Sequence, residues 1–253
     1  MDRKLVAFER LLTIMDELRE GCPWDRKQTL ESLRSLTIEE TYELADAILD
    51  QDLLGIKEEI GDLMLHMVFY ARIASEKGAF DIGDALNHVC DKLVERHPHI
   101  YGDVLVNDDE EVKRNWEQIK LKSGKKSVLS GVPHSLPALV KAYRMQEKTK
   151  QVGFEWEHAH QAWDKVQEEL DEFREAVTDS KASMRDRQEE FGDVLFSLIN
   201  FGRYHDLDAE TCLAMVNKKF KKRFEYIENH ADKEVEKMTL EEMDKLWEEA
   251  KKI

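Results

Sequence analysis

Glycine and proline are scarce in this chain, eleven and four among 253 residues, which removes the punctuation that hairpins and short strands need. Apolar residues recur at intervals of three and four rather than two, so the expected fold is all-α. Cysteine is scarcer still: Cys22, Cys90 and Cys212 are odd in number, far apart and never in a CxxC pair. Their spacing argues against disulfides and a structural zinc and suits a reducing cytoplasm. Long apolar runs are missing too. Leu63 to Ala71 is broken by His66 and flanked by Asp62 and Arg72, too short to span a bilayer, and the opening MDRKLVAFER has no apolar signal core. Positive charge is also in deficit: 38 basic against 54 acidic residues leave a net charge of -16. Such a surface repels nucleic acid and anionic lipid. The expectation is a soluble cytoplasmic protein without nucleic-acid or membrane partners, in which any polyanionic ligand needs local cations or bridging metal.

Against these absences stands a surplus of amphipathic segments. Leu5, Phe8, Leu11, Leu12, Met15 and Leu18 predict a first helix that stops at the Gly21-Cys22-Pro23-Trp24-Asp25 turn. Thr37 with Glu40 predicts a capped helix start running to about Leu49, followed by a helix from about Leu53 to Ser75. Asp81 caps the next, which His97-Pro98 ends. Asn107 to Asp109 opens a short helix carrying Trp116 and Lys120. From 121 to 137 the composition shifts to Lys, Ser, Gly and two of the four prolines, so this stretch is expected to link modules at 1–120 and 138–253.

The second half repeats the first. Glu39-Glu40-x-x-Glu43 returns as Glu168-Glu169-x-x-Glu172, and Glu59-x-Gly61-Asp62 as Glu190-x-Gly192-Asp193. Arg72 returns as Arg203, Lys92 and Arg96 as Lys219 and Arg223, and Trp116-Glu-x-x-Lys120 as Trp247-Glu-x-x-Lys251. Features that keep their order and nearly their spacing mark a tandem duplication of a helical module. What both copies share is what the module most needed.

Two carboxylates inside each apolar helix are the most informative shared feature. The segment QEEFGDVLFSLIN, 188–200, is apolar in nearly every direction around a helix axis and is expected to be buried all round, yet it carries Glu190 and Asp193 on one face. Uncompensated carboxylates there lose their charge or cost several kcal/mol. A second acidic helix and a hard cation between them resolve the conflict, and an all-oxygen site suits Mg²⁺ or Mn²⁺. A single E-E-x-x-E in so acidic a chain is usually a solvated face; the paired second helix makes it a candidate site. Gly61 and Gly192, each between two carboxylates, cost helix stability and fit the close approach of a neighbouring helix or a phosphate. Lys219 and Arg223 share a helix face among Lys218, Lys221 and Lys222, a grip for polyphosphate, although a basic stripe also simply offsets acidic surface. Trp247 and Lys251 are placed to stack on a base or sugar and touch phosphate, whereas tryptophan at helical spacing is more often core. His97-Pro98-His99 and His158-Ala159-His160 recur in neither other half and read as loop histidines.

An E-E-x-x-E helix, then E-x-x-D, a Lys/Arg helix and a terminal W-E-x-x-K, with CPWD at Cys22 to Asp25 and VGFEW at Val152 to Trp156, resembles the MazG nucleoside triphosphate pyrophosphohydrolases of the all-α NTP pyrophosphatase group. That resemblance implies Glu169, Glu172, Glu190 and Asp193 as Mg²⁺ ligands, Glu168 as a water-orienting base, and Lys219, Arg223, Trp247 and Lys251 as the nucleotide grip. Glu40, Glu43, Glu59, Asp62, Lys92, Arg96, Trp116 and Lys120 take the same places in the first copy. It also implies NTP + H₂O → NMP + PPi with broad base tolerance, and a homodimer. Stronger cationic character in the second copy points to the C-terminal module as the active one. Two other readings fit the same residues: a relative restricted to dUTP, dCTP or phosphoribosyl-ATP, or a non-catalytic helical scaffold.

Overall fold

The computed structural model describes residues 2–106, 108, 111–112, 115–116, 119 and 127–252, and among them every regular element is helical. Lys120 lies outside the described residues, as do positions 121–126 of the expected linker. The chain divides into two compact units, Met1–Val112 and Lys113–Ile253.

The first unit is built on α1 (Arg3–Gly21), α2 (Leu30–Leu49) and α3 (Leu53–Glu76), followed by α4 (Ile82–Arg96) and the single turn α5 (Pro98–Tyr101). α2 and α3 pack as a hairpin across a three-residue connection. The Thr37 start is not observed: α2 begins two turns earlier, where Thr29 and Ser32 cap it reciprocally. Leu30, Leu33 and Leu36 face the core and extend the helix through Thr37. The Thr37 hydroxyl is within hydrogen-bonding distance of the Leu33 carbonyl at 3.0 Å and of the Tyr70 hydroxyl at 2.6 Å. Asp81 caps α4 together with Asp84, and α4 stops before Pro98. Arg19 fastens α1 to α3 through Glu76 at 2.8 Å and to the intervening turn through the Asp25 and Gln28 carbonyls.

Met15, Leu33, Val68, Phe69 and Ile73 form the core of this unit. Phe69 is 2% exposed, so truncation removes a whole buried ring and leaves a cavity. Phe69→Ala is expected to lower unfolding free energy by about 3–5 kcal/mol, read as a shift of the urea transition.

The second unit comprises α6 (Ala138–Lys150), α7 (Ala159–Thr178), α8 (Met184–Arg203), α9 (Ala209–His230) and α10 (Leu240–Ala250). α7 and α8 repeat the α2–α3 hairpin, and α6 packs on α8 as α1 does on α3. Between α6 and α7 the chain turns through Gly153 at φ 83°, a backbone region that favours glycine. Arg203 at the end of α8 holds this turn through Glu155, 2.5 Å away, and the Tyr204 hydroxyl donates to the Trp156 carbonyl at 2.6 Å. Ser183 caps α8 reciprocally with Asp186, and Thr239 caps α10 with Glu242.

One expectation fails on α8. Val194, Ser197 and Ile199 are buried, but Phe191, Phe196 and Leu198 are 50%, 42% and 41% exposed. The helix is therefore not covered on all sides within one chain: it packs on α7 and α6, which leave part of its apolar circumference bare.

Candidate active site

The hairpin of each unit brings acidic side chains together. On α7 and α8, carboxylate oxygens of Glu169, Glu190 and Asp193 lie within 4.8 Å of one another, and on α2 and α3 those of Glu40, Glu43 and Glu59 do the same. Helical spacing explains the convergence: residues three or four apart share a face, and packing the two helices sets one acidic face against the other. Glu169 is buried, Glu190 half-buried and Asp193 exposed, so the cluster opens from the hairpin interior to solvent. Glu172 is exposed one turn on from Glu169.

The carboxylates repel one another. Glu172 has its pKa raised, first by desolvation and then by Glu169, with Glu168 and Glu190 contributing. In the first copy, desolvation followed by the charges of Asp62 and Glu43 raises Glu40, and desolvation with Glu43 and Glu40 raises Glu59. Asp62 therefore faces the first cluster electrostatically. These directions mark negative charge that the protein offsets only in part, Lys165 acting on Glu172 in the opposite sense, in an all-oxygen donor set suited to a hard divalent cation.

The second cluster contains a cation that sequence reasoning missed. Lys165 Nζ lies 2.7 Å from Glu168 and 2.8 Å from Glu169, and those two hydrogen bonds, chiefly that to Glu168, raise its pKa well above the usual lysine range. At the shift of 129 relating the acidic helices, its first-copy counterpart is Leu36. The signal was the i, i+3 and i, i+4 spacing to Glu168 and Glu169; an isolated lysine on an amphipathic helix is otherwise unremarkable. A Cβ added at Gly61 or Gly192 would meet nothing within 4 Å, so neither glycine serves close helix packing within its unit.

The expected nucleotide grip forms a group of its own. α9 packs on α10 and α6. The Arg223 guanidinium sits 5.5 Å from the Trp247 ring centre, and Phe220 packs on the same ring at 5.2 Å. Trp247 is thus half-buried and held by its neighbours, Lys219 is exposed, and Lys251 pairs with Glu248. In the first copy Lys92 and Arg96 are half-buried on α4. Trp116, also half-buried, falls within the second unit as the chain divides. The histidine pairs are ring contacts, His97 with His99 at 5.5 Å and His158 with His160 at 5.4 Å.

A helical hairpin that gathers carboxylates in this way, twice in one chain, defines a class of all-α proteins built around acidic sites. Residues 28–101 match the model of the MazG nucleotide pyrophosphohydrolase domain. The whole chain is similar to curated proteins. It is 42% identical to a nucleoside triphosphate pyrophosphohydrolase/pyrophosphatase MazG of Thermotoga maritima, over 97% of this chain and 96% of that protein. It is 39% identical to a nucleoside triphosphate pyrophosphohydrolase of Escherichia coli K12, over 97% of each. An uncharacterized protein, YabN, of Bacillus subtilis is 43% identical over 96% of this chain and 51% of its own length. The solved structure of a MazG-related protein from Thermotoga maritima covers 45% of this chain and 98% of its own, at 31% identity and a TM-score of 0.41. The chain belongs to the MazG nucleotide pyrophosphohydrolase family.

Proposed function

We propose that the protein hydrolyses nucleoside triphosphates to the monophosphate and pyrophosphate, in a Mg²⁺-dependent reaction centred on Glu169, Glu172, Glu190 and Asp193, with Mn²⁺ an alternative ion. The observation that carries this reading is the α7–α8 carboxylate cluster, in which oxygens of Glu169, Glu190 and Asp193 converge within 4.8 Å. When bound, the metal neutralises phosphate oxygens and makes a coordinated water more acidic. The remaining work falls to the chain. Glu168, exposed beside the cluster, accepts a proton from the attacking water, and Lys165 balances Glu168 and Glu169 until substrate arrives. Lys219 and Arg223 supply positive charge for a triphosphate approaching an acidic surface, while Trp247 orients Arg223 by stacking.

Phosphorus NMR of the products from each NTP with Mg²⁺ tests this directly. Monophosphate and pyrophosphate are expected, with label from ¹⁸O-water in the monophosphate, as attack at the α-phosphorus requires. Nucleoside diphosphate and orthophosphate would overturn it, and turnover of dUTP, dCTP or phosphoribosyl-ATP alone would support a narrower relative. An entirely inert protein with no response to Mg²⁺ would favour the scaffold.

The bare apolar side of α8 supports a homodimer. Phe191, Leu195 and Leu198 are exposed on α8, and Leu213, Met215, Val216 and Phe220 on α9. Apolar surface of that extent is a site for association. Light scattering at micromolar concentration should return twice the 29.7 kDa chain mass; a monomer would reject the dimer. No helix among the described residues is long and apolar enough to cross a membrane.

A further inference from the structure

Lys165 brings a positive charge into the acidic group of the α7–α8 hairpin. Its Nζ lies 2.7 Å from Glu168 Oε1 and 2.8 Å from Glu169 Oε1, and Glu169 in turn converges with Glu190 and Asp193 within 4.8 Å. Ion pairs three or four residues apart on a helix are ordinarily surface features worth little, as with the exposed Arg185 and Glu189 on α8. The Lys165 pair differs in two ways. The Glu169 side chain is only 9% exposed, so the ammonium group neutralises a carboxylate that has been taken out of water. Lysine also precedes its acids, the weaker order for stabilising a helix, so local helix stability does not account for it. Its charge reaches further along the site: among the charges acting on Glu172, that of Lys165 stands second to Glu169 and is opposite in sense.

The first copy provides an internal control. At the shift of 129 relating the acidic helices, Glu39 and Glu40 stand for Glu168 and Glu169, and Leu36 stands for Lys165. Leu36 packs against the apolar core of the first unit. Glu40 is half-buried there, whereas Glu169 is buried. A lysine needed only to let the acidic helix fold would be expected in both hairpins. The acids are common to the two copies, and what separates them is the cation already seated on Glu168 and Glu169.

We infer that Lys165 is a resident cation that keeps the second copy's carboxylates from holding a divalent ion tightly on their own, so that metal and triphosphate are taken up together. The inference rests on the metal-dependent nucleotide reading above and names how that site is loaded. A carboxylate shared between an ammonium group and a divalent ion sets positive charges side by side, and in a partly buried site solvent screens them poorly. Glu169 therefore offers less to a metal alone than the same carboxylate would without its lysine. A triphosphate brings about four negative charges to the site and reverses the balance, because Lys165 then stands among anions and no longer opposes the ion. Linkage makes the effect reciprocal: the factor by which triphosphate tightens metal binding is the factor by which metal tightens triphosphate binding. A site loaded in this way takes its ion with the substrate that needs it.

Three variants separate charge from packing: Lys165→Met keeps the apolar stem and removes the charge, Lys165→Gln keeps hydrogen bonding without the charge, and Lys165→Arg keeps the charge. Calorimetric titration of the full chain with Mn²⁺ and no nucleotide is expected to show binding about tenfold or more tighter in Lys165→Met and Lys165→Gln than in the wild type, the scale on which a neighbouring charge changes the occupancy of a carboxylate. Lys165→Arg should match the wild type. Adding Asp193→Ala to Lys165→Met should remove the gained affinity, which assigns the gain to the α7–α8 cluster and not to α2–α3. In the presence of saturating α,β-methylene-ATP, which resists cleavage at its bridge, Mn²⁺ binding to the wild type should tighten by about tenfold or more, a usual size for linked sites, and binding to Lys165→Met by much less. Damage to the fold does not raise metal affinity, so a gain cannot come from lost packing. Equal Mn²⁺ affinity in the wild type and the two uncharged variants, or coupling to the triphosphate that survives in them, would overturn the inference. If Lys165→Met fails to fold, Lys165→Gln decides. A wild type that binds no triphosphate analogue would instead refute the nucleotide reading, and the titrations without nucleotide would still decide whether Lys165 opposes the ion.

Discussion

Asp193→Ala is expected to lower pyrophosphate release by about two orders of magnitude or more, equivalent to about 2.7 kcal/mol in the barrier, while leaving the helices intact. Asp193 is exposed at the mouth of a cluster whose oxygens lie within 4.8 Å, so its loss removes a hard oxygen donor without opening a cavity. It also removes one of several like charges. Because Glu172 is raised by desolvation, Glu169, Glu168 and Glu190, the folded state disfavours its ionised form. Such a group contributes stability that is present below the unfolded pKa and lost as pH rises through the folded one. Glu40 and Glu59 act in the same sense. The metal-free protein should therefore lose stability as pH rises from about 4 through the carboxylate range. Mg²⁺ should raise the melting temperature more at neutral pH than near pH 5, where protons already quench the repulsion. In Asp193→Ala the metal-free melting temperature at neutral pH should equal or exceed that of the wild type, and the Mg²⁺ response should shrink. Full activity with an unaltered Mg²⁺ response would remove Asp193 from the site.

The acidic helices were legible because the duplication supplied a second reading of each. Glu40 and Glu169, separated by 129 residues, are held by equivalent hairpins, and the apolar neighbours of Glu190 and Asp193 marked them as more than surface charge. Lys165 escaped because its importance lies in two hydrogen bonds across one helical turn, which a lone lysine does not advertise. The Thr37 cap was misplaced because local capping preference yielded to core packing by Leu30, Leu33 and Leu36. Complete burial of α8 was overestimated because apolar periodicity reports which faces avoid water, not whether the same chain supplies the cover.

Glu172→Ala should abolish nearly all turnover, and Glu43→Ala should retain most of it. The acidic clusters alone do not separate the copies, since each hairpin gathers three carboxylates. Cations do. Lys218, Lys219, Lys221, Lys222 and Arg223 stand where the first copy has Asp91, Lys92, Val94, Glu95 and Arg96, five positive charges against two positive and two negative that cancel. α9 continues to His230, whereas α4 ends at Arg96 before Pro98, and Arg223 is further fixed by Trp247. Inside the site the contrast repeats, with Lys165 beside Glu168 and Glu169 and Leu36 at the matching first-copy position. A triphosphate carries about four negative charges, and each cation near its path favours the second copy even through solvent screening. Glu43→Ala also relieves repulsion on Glu40 and Glu59, whose pKa values its charge helps to raise, so that variant should fold at least as stably as the wild type. Turnover by the two variants under saturating Mg²⁺ decides the matter: equal losses, or a larger loss in Glu43→Ala, would place hydrolysis in the first copy or in both.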